Sequence, residues 1–503
     1  MAGGVPGQSE TLLTYLVQYR HALSQTVMID SIMDEGGNLN SLIVASNRVP
    51  SPDQGSGSQG GLAVGVMNAL SRTDGLWLGW NGNTEEAPSR DIDHYDFDGV
   101  RFATFPMSVE QHRLFYIGYS NEVLWPLFHY RPDMIEYNRE KERGYLEVNQ
   151  LFADNIRSVM DESSRIWVHD YQLIAVGHLL RQSGVEAPLG FFLHTPFPPW
   201  DLLRILPEYE NLLHYLSAYD TIGFQTDLDL YNFRDCMKRG IGAEIEEDGT
   251  IVFDGRRSQA DVYPISIDID TAREMAEQGE NSPTGQRLKR SLNNRPLMIG
   301  TDRLDYSKGL YKRFQAYERL LERFEERRGN VIYIQISPSS RTDVEEYAAL
   351  RTTLERVTGH VNGRFAEYDW MPLRYLNRGY DRASIMGFLR QSRVALITPL
   401  RDGMNLVAKE FIAAQDPEDP GVLVLSHLAG ASRELADGAL LCNPFDIDGV
   451  AEVMERALSM PLEERRARWQ SMMTVLQNND IHQWSENFLA AMNQNAEQRR
   501  EDQ

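Results

Sequence analysis

Short, unbroken apolar runs recur along this chain, separated by longer stretches with helical spacing. In the first half the runs are Leu42–Ala45, Ile166–His169, Leu189–Leu193 and Thr221–Phe224. In the second they are Pro296–Gly300, Val331–Ile336, Val394–Ile397 and Gly421–Leu425. A strand with one wet face alternates apolar and polar residues. A strand apolar throughout reads as a parallel strand covered by helices on both faces. Strands of that kind alternating with helices build βαβ units and doubly wound sheets. Two clusters of such units predict an α/β chain with two Rossmann-like domains. The length of 503 residues fits, since a single core stops growing near about 250–300 residues. The expected division is an extension over 1–40, one domain over 41–270, a second over 271–480 and a helix with tail over 481–503. The seam is expected near Asp268–Pro283, where polar residues replace the strand pattern. The helix from about Ile481 to Glu497 is compatible with either half. In the extension, Leu12, Leu16, Tyr19 and Leu23 form one helical stripe. It reads as a helix packed on the body or a tail, or else as an oligomer contact, and a homo-oligomer is the expected state.

Charge narrows the ligands. With 73 acidic against 50 basic residues the net charge is −23, a surface that repels nucleic acid phosphates. A phosphate site in such a chain has to be a local cluster of Arg, Lys and backbone N–H groups. No run approaches the ~20 apolar residues of a membrane span, and the N-terminus lacks the pattern of a signal peptide. Cys236 and Cys442 are the two cysteines, too few for a disulfide framework. Together these features predict a cytoplasmic protein.

Ligands of open α/β sheets sit outside the carboxyl ends of the strands, so the residues after each apolar run carry the chemistry. Arg48, in Ser46–Pro50, puts a cation after the first strand. Gly60 and Gly61 open a helix where backbone can approach an anion; a plain turn is the competing reading. Trp77–Gly82, with Trp80 central, offers an aromatic face suited to a sugar. Tyr116 and Trp125, the latter in Asn121–Pro126, can place a hydroxyl and an indole N–H on a ligand. Core packing competes for all these aromatics. Asp170 closes a strand, where it suits a ligand hydroxyl or caps a helix. His194 stands at the tip of a strand before Pro196 and Pro198, as a ligand group or a structural imidazole. Arg303 and Lys308, five apart after a strand, can both reach a diphosphate, a solvated basic turn being the alternative. Arg341 stands in the equivalent place after the next strand. The run Thr398–Glu410 is the most specific. Asp402 can accept from sugar hydroxyls, the N–H groups of Gly403, Met404, Asn405 and Leu406 suit a phosphate at a helix start, and Glu410 suits a ribose diol. No zinc-ligand, Walker A, GxSxG or kinase signature occurs, so neither a metal nor a cofactor nor a covalent nucleophile is expected.

The motifs SNRVP, GGLAVG, LWLGWNG, NEVLWPLFHYR, HDYQL, FFLHTPFP, DRLDYSKG and TPLRDGMNLVAKEF together resemble the trehalose-6-phosphate synthase family, over roughly residues 41–490. The resemblance implies two facing Rossmann-like domains of the glycosyltransferase B type, with the active site in the interdomain cleft. It implies a retaining transfer of glucose from a nucleotide-glucose, UDP-glucose first, to glucose 6-phosphate. It also implies roles. Arg48, Tyr116, Trp125 and Arg341 would hold the acceptor phosphate, with Asp170 and Trp80 at the acceptor sugar. Gly60, Gly61, Arg303 and Lys308 would lie at the donor diphosphate, and His194 at the donor glucose. Asp402 through Val407 would take the donor glucose hydroxyls and diphosphate, and Glu410 the ribose. Asp170, His194, Arg303, Lys308 and Asp402 form the expected catalytic set. Two alternatives stay open: glycerol 3-phosphate as acceptor, or a catalytically silent regulatory subunit.

Overall fold

A computed structural model describes residues 42–49, 61–73, 75–88, 91–97, 99–339 and 345–501. The 1–40 extension, Gly60 and Arg341 lie outside the described residues. The chain forms two compact units, one running to Pro264 and resuming at Ile481, the other Ile265–Asp480.

The first unit is built on a ten-stranded sheet ordered β3-β4-β2-β1-β5-β6-β7-β10-β9-β8. Its strands are β1 Leu42–Arg48, β2 Leu76–Glu85, β3 Asp93–Phe97, β4 Val100–Ser108, β5 Arg165–His169, β6 Leu189–Phe192, β7 Thr221–Phe224, β8 Glu244–Ile245, β9 Ile251–Phe253 and β10 Arg256–Val262. From β4 through to β10 neighbours pair parallel; β3, β8 and β9 add antiparallel edges. Ile43 of β1 lies between Leu76 of β2 and Ile166 of β5. The connections reverse direction there, so β1 and β5 form the switch point.

The second unit holds six parallel strands: β11 Leu297–Thr301, β12 Ile332–Ile336, β13 Leu373–Leu376, β14 Val394–Ile397, β15 Val422–Ser426 and β16 Leu440–Cys442. Their order, β13-β12-β11-β14-β15-β16, is the 3-2-1-4-5-6 of a dinucleotide-binding fold, with its switch point between β11 and β14. One buried cation ties the start of this unit to its end. Lys409, at 0% exposure, donates to the Ile265 carbonyl at 2.8 Å and pairs with Glu434 at 2.7 Å. Asn479 reaches the same carboxylate at 3.2 Å.

The final helix, Ile481–Glu501, settles what its amphipathic pattern left open: it packs on the first unit. Trp484 and Phe488 are buried against Trp167 of β5, at centroid distances of 5.2 and 4.8 Å, and both touch Phe192 of β6. Gly190 of β6 makes the approach possible, because a Cβ there would lie 2.5 Å from the Met492 sulfur and 2.8 Å from Phe488. Arg499 locks the far end, pairing with buried Asp220 at 3.0 Å, which also binds Arg181 at 2.8 Å. A charge removed from water needs such partners to be tolerated. Phe488→Ala empties the centre of this contact and is expected to cost about 3–5 kcal/mol, read as a lower urea midpoint at unchanged slope.

Candidate active site

Each unit carries a polar cluster at the carboxyl ends of its own switch-point strands. In the first unit β1 carries Ser46 near its end, and the Ser46 hydroxyl accepts the Trp77 indole N–H at 2.8 Å and donates to the Arg48 carbonyl at 3.3 Å. Arg48 is exposed, and its guanidinium lies 5.7 Å from the centre of the Trp80 ring. Gly82, at φ +90°, keeps that side open, since a Cβ there would meet the guanidinium at 2.7 Å. Trp80 is buried and donates to the Asn83 carbonyl at 2.6 Å. Its ring contacts His112 and Tyr116, 5.2 and 6.1 Å between centroids.

Tyr116 and Asn121 sit in an unusual element. His112–Leu124 winds as a π-helix, in which residues five apart come into line. The Asn121 amide therefore reaches the Tyr116 carbonyl at 2.7 Å and accepts the Tyr171 hydroxyl at 3.0 Å. Trp125 follows in the short helix Trp125–Phe128, buried beside Tyr171 at 5.5 Å and His129 at 3.9 Å. Burial of Leu114, Phe115, Val123 and Leu124 makes the segment helical. The fold thus gathers Arg48, Trp80 and Tyr116 into one aromatic and cationic face, while Trp125 is buried beside Tyr171 and His129.

Asp170, just past β5, has φ 72° and ψ 168°, a region that is nearly glycine-only and costs of order 1–3 kcal/mol. It is held by its neighbours. Its N–H donates to the Phe192 carbonyl at 2.8 Å, and its carboxylate accepts the His194 N–H at 3.1 Å. The His194 ring lies between His169, 3.1 Å from Nε2, and Gln225, 3.4 Å from Nδ1. Burial pushes His194 down to about 3 and holds His169 well below its ordinary range, with the neighbouring His194 adding to it. Both imidazoles are neutral at neutral pH.

In the second unit Arg303 stands exposed after β11. Lys308 turns back to pair with Asp402 at 2.6 Å, and Asn405 donates to the same carboxylate oxygen at 2.9 Å. The structure thus joins the two residues that the sequence assigned to different parts of a ligand. Asn405, at φ 82°, starts the helix Leu406–Ala414 without capping it through its side chain. Its Nδ2 donates to Asp402 while its Oδ1 accepts from none of the first-turn N–H groups, which therefore suit an anion. Gly430 and Ala431 donate to the carbonyls of Asp402 and Met404 at 3.2 and 2.9 Å, fixing the turn. Glu410 is buried one face further along and ion-paired to Arg382.

Beneath these loops lies Arg313, 1% exposed. It binds Asp302 at 2.6 Å, Gln335 at 2.9 Å, Thr398 at 2.9 Å and the Lys308 carbonyl at 3.1 Å. Burial works against its charge, and Asp302 together with Tyr333 more than offsets that, holding Arg313 above its ordinary range. Motif reading missed Arg313, although an arginine on the apolar stripe of Leu310, Phe314 and Tyr317 was a usable signal. It also missed Arg382 and Gln225, which no local pattern marks. Among the described residues, no group of three or more His, Cys, Asp or Glu is placed to hold a metal ion. No described helix is long and apolar enough to cross a membrane.

The profile of glycosyltransferase family 20 matches residues 41–494. The chain belongs to this family. Among curated relatives, trehalose-6-phosphate synthase of Sodalis glossinidius (strain morsitans) is 44% identical over 448 residues, covering 89% of this chain and 95% of the relative. The enzyme of the same name from Escherichia coli O1:K1 / APEC is 44% identical over 457 residues, covering 90% and 95%. Among solved structures, a UDP-forming alpha,alpha-trehalose-phosphate synthase from Burkholderia xenovorans in complex with glucose-6-phosphate aligns at TM-score 0.87 and 44% identity, covering 90% of this chain and 100% of that one. An E. coli structure bound with UDP-2-fluoro glucose aligns at TM-score 0.86 and 42% identity, covering 90% and 98%. As a family 20 member the chain has the two parallel-sheet units of the glycosyltransferase B fold, and both clusters lie within the matched residues.

Two expectations follow for this family 20 site. Asp170→Gly removes about 1–3 kcal/mol of strain and a bond worth about 1 kcal/mol, so it should melt at or above the wild type. Asp170→Ala keeps the strain, loses the bond and should melt below both, as read by scanning calorimetry. The second concerns pH. Unfolded histidine titrates near about 6.5, while folded His194 stays neutral down to about 3. As pH falls through this window the unfolded chain takes up a proton that the folded chain refuses, so stability is lost with falling pH, by up to about 1.4 kcal/mol per pH unit. The melting temperature of wild type minus that of His194→Gln should therefore decrease from about pH 7.5 to about pH 5.

Proposed function

We propose that this chain is a retaining glucosyltransferase that moves glucose from UDP-glucose to glucose 6-phosphate and forms trehalose 6-phosphate. One observation carries the reading. At the second unit's switch point a lysine–carboxylate pair, an exposed arginine and a helix start that its Asn405 side chain leaves uncapped converge, in a chain 44% identical over most of its length to trehalose-6-phosphate synthases. Cations beside backbone donors suit a diphosphate, and a carboxylate suits sugar hydroxyls. The face of Arg48, Trp80 and Tyr116 supports the acceptor role, offering a cation for a phosphate and rings for a sugar. Two buried free cysteines agree with a cytoplasmic site of action.

In the step we infer, the acceptor's anomeric hydroxyl attacks donor C1 from the face that the nucleotide leaves. The departing diphosphate takes the acceptor's proton, and the C1–O bond to UDP breaks as the new glycosidic bond forms. A carboxylate nucleophile on the opposite face is the usual route to retention; the reading here needs none. The protein's part is orientation, worth up to about 7–11 kcal/mol in favourable cases, and stabilisation of charge on the leaving group by Arg303, Lys308 and the helix start. Lys308 must then exchange its bond to Asp402 for one to phosphate, which frees the Asp402 carboxylate for the sugar.

The test is nucleotide release with UDP-, GDP- and ADP-glucose, each with glucose 6-phosphate, glycerol 3-phosphate or no acceptor. Release of UDP that requires glucose 6-phosphate is expected. Release only with glycerol 3-phosphate reassigns the acceptor, and no release with any pair sinks the reading. Arg303→Ala should lower turnover about 10²–10³-fold.

A further inference from the structure

Strand β5 ends in two residues that both grip His194. Asp170 holds its backbone N–H, as described above. His169 holds its ring: His169 Nδ1 lies 3.1 Å from His194 Nε2. The centroids are 5.4 Å apart and the planes differ by 19°. The centroid separation exceeds the nitrogen separation by about one ring's width, which is an in-plane hydrogen bond and not a stack of faces. One proton therefore lies between the rings, and its owner decides which nitrogen of His194 is left for a ligand.

A neutral imidazole has one donor nitrogen and one acceptor nitrogen. If His194 owned the shared proton, His169 would carry its own on Nε2. That atom is buried and has no hydrogen-bond partner among the described residues, and His169 is 0% exposed. Two of its ring neighbours make matters worse. Trp167, 4.4 Å away, and Trp484, 6.5 Å away, each bury an indole N–H that also has no described partner. A third orphaned N–H in the same place is the arrangement that folded proteins avoid most strongly. A bare lone pair on His169 Nε2 avoids it.

We propose that His169 is a positioning residue that donates Nδ1–H to His194 Nε2, fixing the proton of His194 on Nδ1, so that His194 offers a ring N–H to a sugar hydroxyl oxygen. The consequence for transfer rests on the function proposed above; the proton's location does not. The Gln225 Nε2 lies 3.4 Å from Nδ1, a long contact for a hydrogen bond, and turning the amide over would present its oxygen to an Nδ1–H. Amide orientation follows the network, and the N–H stays available to a shorter bond from a ligand hydroxyl.

The experiment uses the full chain labelled with ¹⁵N at histidine Nδ1 alone, with the His194 signal found by subtracting the spectrum of His194→Gln. Solid-state ¹⁵N spectra distinguish a protonated from a bare ring nitrogen. A protonated His194 Nδ1 is expected, and a bare one overturns the proposal even if the chain transfers no sugar at all. In kinetics, His169→Phe keeps a buried ring and removes the donor. It should lower kcat about 10–100-fold, the range for losing a partner that orients a functional histidine, with KM for glucose 6-phosphate unchanged. His169→Asn places an amide N–H near the position of Nδ1 and should recover most of that loss. Equal losses in the two variants at equal melting temperature, or no loss in His169→Phe, would also overturn it.

Discussion

The second unit depends on a buried guanidinium. Arg313 reaches three strands at once through Asp302 after β11, Gln335 in β12 and Thr398 after β14. It also holds the Lys308 carbonyl. Those are the strands and loops that carry Arg303, Lys308 and Asp402. A cation so deep is stable only while its acceptors stay in place, so the loops above it have little freedom. Leu400 N–H donating to the Ser307 carbonyl at 2.7 Å stitches the β11 and β14 loops together directly. The exposed groups that meet a ligand are thus few, and each hangs from a part of the structure that cannot easily move.

The first unit reaches the same end by other means. It uses a strained backbone at Asp170 and a pair of neutral imidazoles at His169 and His194. Strain is tolerated there because two hydrogen bonds to β6 and its following loop over-determine the conformation. The unit read as holding a diphosphate draws its charges from two loops, Arg303 and Lys308 after β11 and Asp402 after β14.

Much of this was legible in the residue pattern, for a physical reason. A parallel strand buried on both faces has to be apolar throughout, so β1, β5, β6, β7, β11, β12, β14 and β15 announce themselves. β2, Leu76–Glu85, and β10, Arg256–Val262, do not, because each leaves polar residues partly exposed at the sheet's flanks. Site residues at strand ends were legible as polar interruptions of apolar runs, as with Asp170 and His194. Gln335 and Thr398 were not, since nothing local distinguishes a buried polar residue with partners far along the chain from an exposed one; Arg313 was marked only by its place on the apolar stripe of its helix. Nor does a residue's identity reveal the positive φ at Asp170 or the π-helical winding that aligns Tyr116 with Asn121. The pairing of Lys308 with Asp402, 94 positions apart, is likewise a product of topology.

The placement of the last helix has a bearing on how the protein is made. The second unit is one uninterrupted stretch, whereas the first is closed by residues that follow it. Trp167 and Phe192 emerge from the ribosome early, and the side chains that cover them, Trp484 and Phe488, emerge last, on the order of tens of seconds later at usual rates of synthesis. The half begun first is therefore finished second. Until then its sheet lacks the cover that Trp484 and Phe488 give to Trp167 and Phe192.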